Sequence, residues 1–564
     1  MHTSTLDVLP EAQTRSAASA SPDWKRDPVW LALACIVLME LVAFGLWIKE
    51  VGVYLDEWIY FGRAHFGDQS LLGLFSQAFT NPKIIVRPLN AIHLGTIYYL
   101  VKEQPLLYHA SNALVEAAAG CFLFLSIRRL FADWRLSLAS ALLFIVYPSH
   151  DETHYSIVAF TLGMGVALFA ASFWLFIKGV QEGKNGLIGL SGFVYALSLF
   201  EYELCLPFYA LFPAVAFLNC KYRRGMTFSR ALKSALLAQI PVLIAALSFV
   251  WFRQWLLPAL ELGWRYHAKF DPAYTLSVFV EGFKCSIFPQ AFGYFAGMAA
   301  DYLRHGVPIE RFLSLAGVIA LAMFTLAKGS NSGEKIKDTS LVAIFCGILS
   351  MMLAYTIYSI ADGYTPVLDN CNNRVNAGAS IGASLALAGA LLWLTDRLPA
   401  PVLKNRGVAY AALLCPLLSM MVLADWEFRK PWVTSWQSQK EARRFIESHR
   451  SDFRDGDSII LFDFVRYVRW APVLDGVWDF QTIVRTTLEN ENINATVASE
   501  RMHISRDGIS DRQGSIVLAN LPYKRMFLWS PMRNAWQMVN SEAEFWSFAK
   551  KYGLDLSLCK IEKE

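Results

Sequence analysis

Charge is scarce in this sequence, and ligand-type cysteine patterns are missing. Asp, Glu, Lys and Arg make up 17% of its 564 residues, against about 25% in an ordinary soluble domain. That deficit excludes a water-solvated globule. The formal net charge of +4 is too small to recruit nucleic acid. Nine cysteines are an odd number, and Cys35, Cys121, Cys205, Cys346 and Cys415 fall in apolar segments. None of their spacings matches a zinc site or a disulfide framework. Internal repeats and low-complexity blocks are also missing. The first apolar segment is too long for a signal-peptide core and has no good small-x-small cleavage site, so it is expected to be a retained anchor.

What is present is apolar and aromatic. Hydrophobic residues reach 55% and aromatics 14%, and long apolar runs recur from Trp30 to Leu423, the signature of a polytopic helical membrane protein. The expected spans are 30–48, 106–127, 136–149, 156–177, 187–201, 204–219, 231–256, 309–327, 340–360, 377–395 and 407–424. The short apolar segment 88–101 is left out because counting it as a span would invert every later loop. With it excluded, Arg128, Arg129, Lys178, Lys221, Arg223, Lys328, Arg397 and Lys404 fall on the side of the N-terminus, while the opposite short loops keep little beyond Arg374. That asymmetry satisfies the positive-inside rule.

The expected fold is therefore an all-α polytopic membrane protein of about eleven transmembrane helices with a small C-terminal α/β domain. Residues 1–28 read as a disordered cytoplasmic tail, 29–424 as the membrane domain and 425–564 as a soluble domain outside the cytoplasm. Two long outer loops belong to the membrane domain, 50–104 with interfacial helices and 257–308. In the second, the apolar segment 274–300 is broken by glycines and Pro289 and reads as re-entrant, interfacial or a hairpin of two spans.

Polar residues gather at the outer ends of the spans. Asp56-Glu57 follow the first span, and Arg87-Pro88-Leu89 end the next stretch. Gln104 to Asn112, with His109, open the second span. His150-Asp151-Glu152-Thr153-His154 form one tight turn, Glu201-Tyr202-Glu203 another, and Arg374 caps the tenth span. A carboxylate at membrane depth costs about 2.5–3.5 kcal/mol on insertion scales, so such groups face a cavity or a partner. One wet cavity opening outward is expected. Plainer roles stay open: Asp56 as a solvated carboxylate at a helix N-terminus, Arg87 as a snorkelling headgroup contact, and His109 with Asn112 as interhelical hydrogen-bonders. Asp151 and His154 are expected to be solvated.

In this order, Asp56-Glu57, Arg87-Pro88-Leu89, Pro105…Tyr108-His109…Asn112, Pro148-x-His150-x-Glu152, Glu201 before Pro207, and Arg374 resemble the GT-C class of polyprenyl-phosphate-sugar glycosyltransferases. The likeness is greatest to the protein O-mannosyltransferase and aminoarabinose-transferase branch, including the TPR-bearing transmembrane O-mannosyltransferases. It covers roughly residues 30–220, with Phe200 where that branch has lysine and no TPR array following.

The resemblance implies a bacterial inner-membrane enzyme that transfers sugar from a polyprenyl-phosphate donor to an extracytoplasmic glycan, lipid or protein. Asp56 and Glu57 are the implied catalytic pair, with Asp56 as general base. Neighbours on a helix diverge by about 100°, so Glu57 is expected to orient the loop. Arg374 and Arg87 would hold the donor phosphate. His150, Glu152, Glu201, His109 and Asn112 would line the substrate pocket. No cofactor or metal is expected. A lipid-linked saccharide transporter and a non-catalytic envelope assembly protein remain the alternatives.

Overall fold

In lipid every backbone N–H and C=O must be satisfied within its own segment, so long apolar runs become helices. The computed structural model describes residues 28–81, 84–262, 270–328, 338–361, 363–369, 372–399, 405–557 and 559–561. The expected cytoplasmic tail, apart from Pro28, lies outside the described residues, as does Lys404. Among the described residues, nine helices are long and apolar enough to cross a membrane. They are Val29–Glu50, Pro105–Phe131, Phe160–Glu182, Glu203–Arg223, Ile240–Ala259, Ile309–Lys328, Thr339–Ile360, Asn373–Thr395 and Arg406–Ser448. The chain is an integral membrane protein.

Two shorter helices, Trp134–Ile145 and Asn185–Glu201, occupy the remaining expected spans. Every residue of Trp134–Ile145 except Arg135 is buried. Surrounded by protein, that helix need not match the hydrocarbon thickness.

Three helices fill the first loop: Asp56–Phe66, Leu71–Phe79 and Pro88–Val101. Residues 274–300 form a helical hairpin, Pro272–Ser286 and Pro289–Arg304, each too short to be a candidate span. Pro289 stands at the first position of the second helix, where its missing N–H costs nothing.

The last span differs most from expectation. A boundary at 424/425 falls inside one continuous helix of 43 residues, Arg406–Ser448, about 64 Å long at 1.5 Å per residue. The change from apolar to charged residues past Asp425 marks where the environment changes, not where the helix stops.

Beyond it lie β1 (Ser458–Leu461), β2 (Tyr467–Val468), β3 (Ala471–Pro472), β4 (Asn494–Val497), β5 (Met502–Ile504), β6 (Gly508–Gln513), β7 (Ile516–Pro522), β8 (Met526–Ser530), β9 (Ala535–Val539) and β10 (Lys560–Ile561). One sheet has the order β4-β1-β8-β9, with β1 parallel to both neighbours, and a second has the order β10-β5-β6-β7. Trp58 and Phe61 of the Asp56 helix share a hydrophobic core with Ile459, Leu461, Phe480 and Trp529. Burying each such aromatic stabilises by about 1.5–3 kcal/mol, so the first loop and the C-terminal domain fold against each other.

Candidate active site

The site is built on the turn that precedes Asp56. Tyr54 donates its hydroxyl to the Trp432 carbonyl at 2.7 Å, and Gly52 N–H donates to the same hydroxyl at 3.1 Å. Trp58 Nε1 donates to Gln439 Oε1 at 2.9 Å. A Cβ on Gly52 would lie 1.9 Å from the Trp436 ring, so glycine is required for the loop to lie on the Arg406–Ser448 helix. Leu55 takes φ 47°, a conformation strained for a residue with a side chain. It turns the chain so that Asp56 begins the next helix.

Asp56 and Glu57 then part company. Asp56 is exposed and lines a cleft of about 1260 Å³ between the Asp56–Phe66 and Leu71–Phe79 helices and the C-terminal domain. Arg63, Gln77, Trp478, Gln481 and Arg485 line it too. Glu57 is 1% exposed. It accepts from Tyr54 N–H at 2.7 Å, Ser156 Oγ at 2.7 Å and Val158 N–H at 3.2 Å. Burial pushes its carboxyl up to about 8, against the pull of these donors. Glu57 is a strut tying the 54–57 turn to the 156–158 turn.

The His150–His154 turn is enclosed rather than solvated. Asp151, Glu152 and His154 are 1%, 3% and 6% exposed, which corrects the expectation for Asp151 and His154. Hydrogen bonds from distant segments hold the turn in. Asn373 donates to Asp151 Oδ1 and Trp432 Nε1 to Oδ2 at 3.2 Å, while Glu152 N–H donates to Asn373 Oδ1 at 3.2 Å. Arg374 Nη1 donates to Glu152 Oε1 at 2.9 Å. Burial raises the Glu152 carboxyl to about 7 even beside Arg374, and the charge of Asp56 adds to the rise. Asp151 is likewise raised to about 7, chiefly by burial. His150 is buried, bonded through Nδ1 to Thr153 Oγ1 at 3.1 Å, and pushed down to about 4 by burial.

The remaining expected residues fall into two groups. Arg87 clamps Glu203 bidentately, Nε to Oε2 at 2.8 Å and Nη2 to Oε1 at 2.7 Å, with its guanidinium 3.8 Å over the Tyr202 ring. Tyr60 lies within electrostatic reach of Asp56, Arg87 and Arg63, which places Arg87 near the lip. Glu201 is buried and meets His93 Nδ1 at 3.0 Å. His109 and Asn112 take the scaffold role. His109 Nε2 contacts the Gly52 carbonyl at 2.8 Å, and Asn112 donates to the Thr153 carbonyl at 2.5 Å. Each holds one of the two turns that carry the carboxylates.

Sequence reasoning passed over Arg253, which approaches Glu203 Oε2 at 3.5 Å, and His93, the partner of Glu201. A signal existed for Arg253, the lone basic residue of 240–259. The arrangement can accept a proton at Asp56 and offer guanidinium groups to an anion at the same rim. Among the described residues no three of His, Cys, Asp and Glu converge in metal-binding geometry.

No protein-family model matches the chain. A stretch of 92 residues, 16% of the chain, is 34% identical to mouse "Protein O-mannosyl-transferase TMTC3" and spans 10% of that protein's length. Two solved structures of ArnT from Cupriavidus metallidurans, one bound to undecaprenyl phosphate and one apo, cover 83% of this chain and 85% of their own. Their identity is 11%, with TM-scores of 0.35 and 0.34, a coincidence in outline only.

Proposed function

We propose that this protein is a membrane glycosyltransferase that moves a sugar from a polyprenyl-phosphate donor to an acceptor hydroxyl. The observation that carries the reading is Asp56: an exposed carboxylate lining a cleft of about 1260 Å³, whose charge reaches Glu152, the partner of Arg374. The motif order and the short match to a protein named an O-mannosyl-transferase support it.

In this reading the acceptor oxygen attacks the anomeric carbon from the face opposite the phosphate, inverting it. The carbon–oxygen bond to phosphate breaks, its electron pair stays on the phosphate oxygen, and the acceptor proton passes to Asp56. Arg374, with Arg87 second, offsets the charge that develops on the leaving phosphate. An arriving phosphate competes with Glu152 for Arg374. Because burial already raises Glu152, losing that cation favours its protonated form, so donor binding carries proton uptake with it. His150, Glu152 and Glu201 shape the pocket, Glu57 positions the Asp56 turn, and no cofactor is required.

In this reading the Lys/Arg-rich loops and the N-terminal side lie in the cytoplasm, and the membrane is a bacterial inner membrane. The lip and the C-terminal domain then face outward, where the acceptor is a glycan, lipid or protein. The deciding test follows label from a polyprenyl-phosphate sugar to acceptor with wild type and Asp56→Asn. Loss of transfer with donor still bound is expected. Transfer at the wild-type rate by the variant would remove the base, and donor binding without transfer by wild type would favour a non-catalytic role.

A further inference from the structure

Behind the lip, a second polar group lies inside the bundle, and the mechanism above does not use it. Glu40, Glu116 and Asp425 come from three different spans and are 1%, 3% and 0% exposed. Both carboxyl oxygens of Glu40 and both of Asp425 have no hydrogen-bond partner among the described residues. Glu40 lies within electrostatic reach of Glu116 and Asp425, and Asp425 within reach of Asp151. Glu116 Oε1 would stand 2.3 Å from a Cβ on Gly163, so that glycine makes room for the carboxyl. The basic residues one turn past Asp425 are engaged with other acids. Arg429 pairs with Glu50 at 3.4 Å, and Lys430 pairs with Glu427.

The turn that carries Glu152 joins this group to the site. His154 directs Nδ1 at Glu40 Oε1 from 4.0 Å, with its ring stacked on Phe44 at 3.6 Å and 5.4 Å from the His150 ring. His154 Nε2, His150 Nε2 and Glu152 Oε2 also have no hydrogen-bond partner among the described residues. Orphaned polar atoms therefore run from the lip to the middle of the bundle.

An ionised carboxyl buried without a cation costs several kcal/mol. A neutral acid needs only hydrogen-bond partners, and buried water supplies them where two to four polar groups converge. Polar atoms left open on two spans and on the turn beside them fit that ligand and no apolar one.

We infer that Glu40, Glu116 and Asp425 form an internal water-binding, proton-exchanging site connected to the lip through His154 and His150. Its role in turnover rests on the glycosyl-transfer reading. The acceptor O–H bond breaks and Asp56 takes the proton; as the base resets, that proton enters the chain at Glu152 and the two histidines while an equivalent one leaves the internal acids to bound water, so those acids stay neutral. No oxidant, reductant or second substrate is involved.

Infrared spectroscopy of the full chain in lipid nanodiscs tests the site without any sugar donor. At neutral pH the wild type is expected to show the carbonyl stretch of protonated carboxylic acids, shifting within minutes of transfer to D2O. Part of that band should be missing in Glu40→Gln and, separately, in Asp425→Asn, amides that keep the shape of the acids. A difference spectrum with no such band, or a band that withstands D2O for hours, overturns the inference. In the transfer assay Glu40→Gln should slow turnover about threefold to tenfold, leave donor affinity unchanged and enlarge the solvent isotope effect. An unchanged rate and isotope effect would overturn the relay. A wild type that transfers nothing would overturn both the relay and the glycosyl-transfer reading, while the infrared result would still judge the internal site by itself.

Discussion

Glu152 at the lip and Glu40 inside the bundle are nearly equally hidden, 3% and 1% exposed, yet their surroundings differ in kind. At the lip each enclosed acid has a named partner: Arg374 for Glu152, Arg87 for Glu203, His93 for Glu201, and three donors for Glu57. Inside, Glu40 has only His154 among the described residues, at 4.0 Å. The pairings at the lip tether opposite charges to each other. Among the described residues no lysine or arginine pairs with Glu40 or Asp425, since Arg429 and Lys430 go to other acids, so these two can only exchange hydrogen bonds. Burial alone therefore does not say what a membrane carboxylate does; the partner does.

The comparison can be broken in order of expected effect. Asp56→Asn, at an exposed lip acid, should lower transfer by about 100-fold to 10,000-fold, the usual contribution of a general base. The donor Kd should stay near wild type, as measured with labelled lipid. Arg374→Ala strikes the lip's pairing directly. Donor affinity should fall about tenfold to a hundredfold, the worth of a charge-assisted hydrogen bond of about 1.5–3 kcal/mol. An unchanged donor Kd would remove the phosphate role.

Glu57→Gln tests a strut rather than a reagent. It should cost about 1–3 kcal/mol by disturbing buried hydrogen bonds, read as a lower Tm. Its pH signature has a definite sign. The folded carboxyl sits near 8, above an unfolded value of about 4.3, so the folded state binds the extra proton between the two. That stability is full below the unfolded value and is lost as pH rises toward 8. Wild-type thermal stability should therefore decline from about pH 4.5 to 8, and Glu57→Gln should flatten the slope. Glu40→Gln should move stability least, within about 0.5 kcal/mol, because a neutral amide can take over the hydrogen bonds of a neutral acid. A large loss of Tm there would mean that the interior acid is paired after all, and would erase the contrast.

Much of the fold was legible because lipid imposes a simple rule on composition. Runs such as Val29–Glu50 and Thr339–Ile360 had no other stable form. The end of the last span was not legible. Polarity changes near Asp425, but helix propensity does not, and the rod continues to Ser448. At the site, sequence could gather residues by the side of the membrane they occupy but could not pair them. Arg87 and Glu203 are 116 residues apart, and Arg374 and Glu152 are 222 apart. The same limit hid Asp151 and His154. A polar tight turn reads as solvated until Asn373 and Trp432 arrive from elsewhere in the chain to cover it.

The unbroken Arg406–Ser448 helix makes the chain hard to dissect. Trp432, Trp436 and Gln439, which hold the turn before Asp56 and the Trp58 side chain, sit on its second half, past the point where the composition changes. A chain cut at residue 424 would keep every apolar helix before the last whole and the apolar half of the last, and still lose the clamp that aims its own N-terminal loop. The C-terminal part is in this sense the mould in which the membrane part's working edge is cast, and the two would have to be inherited, expressed and engineered as one piece.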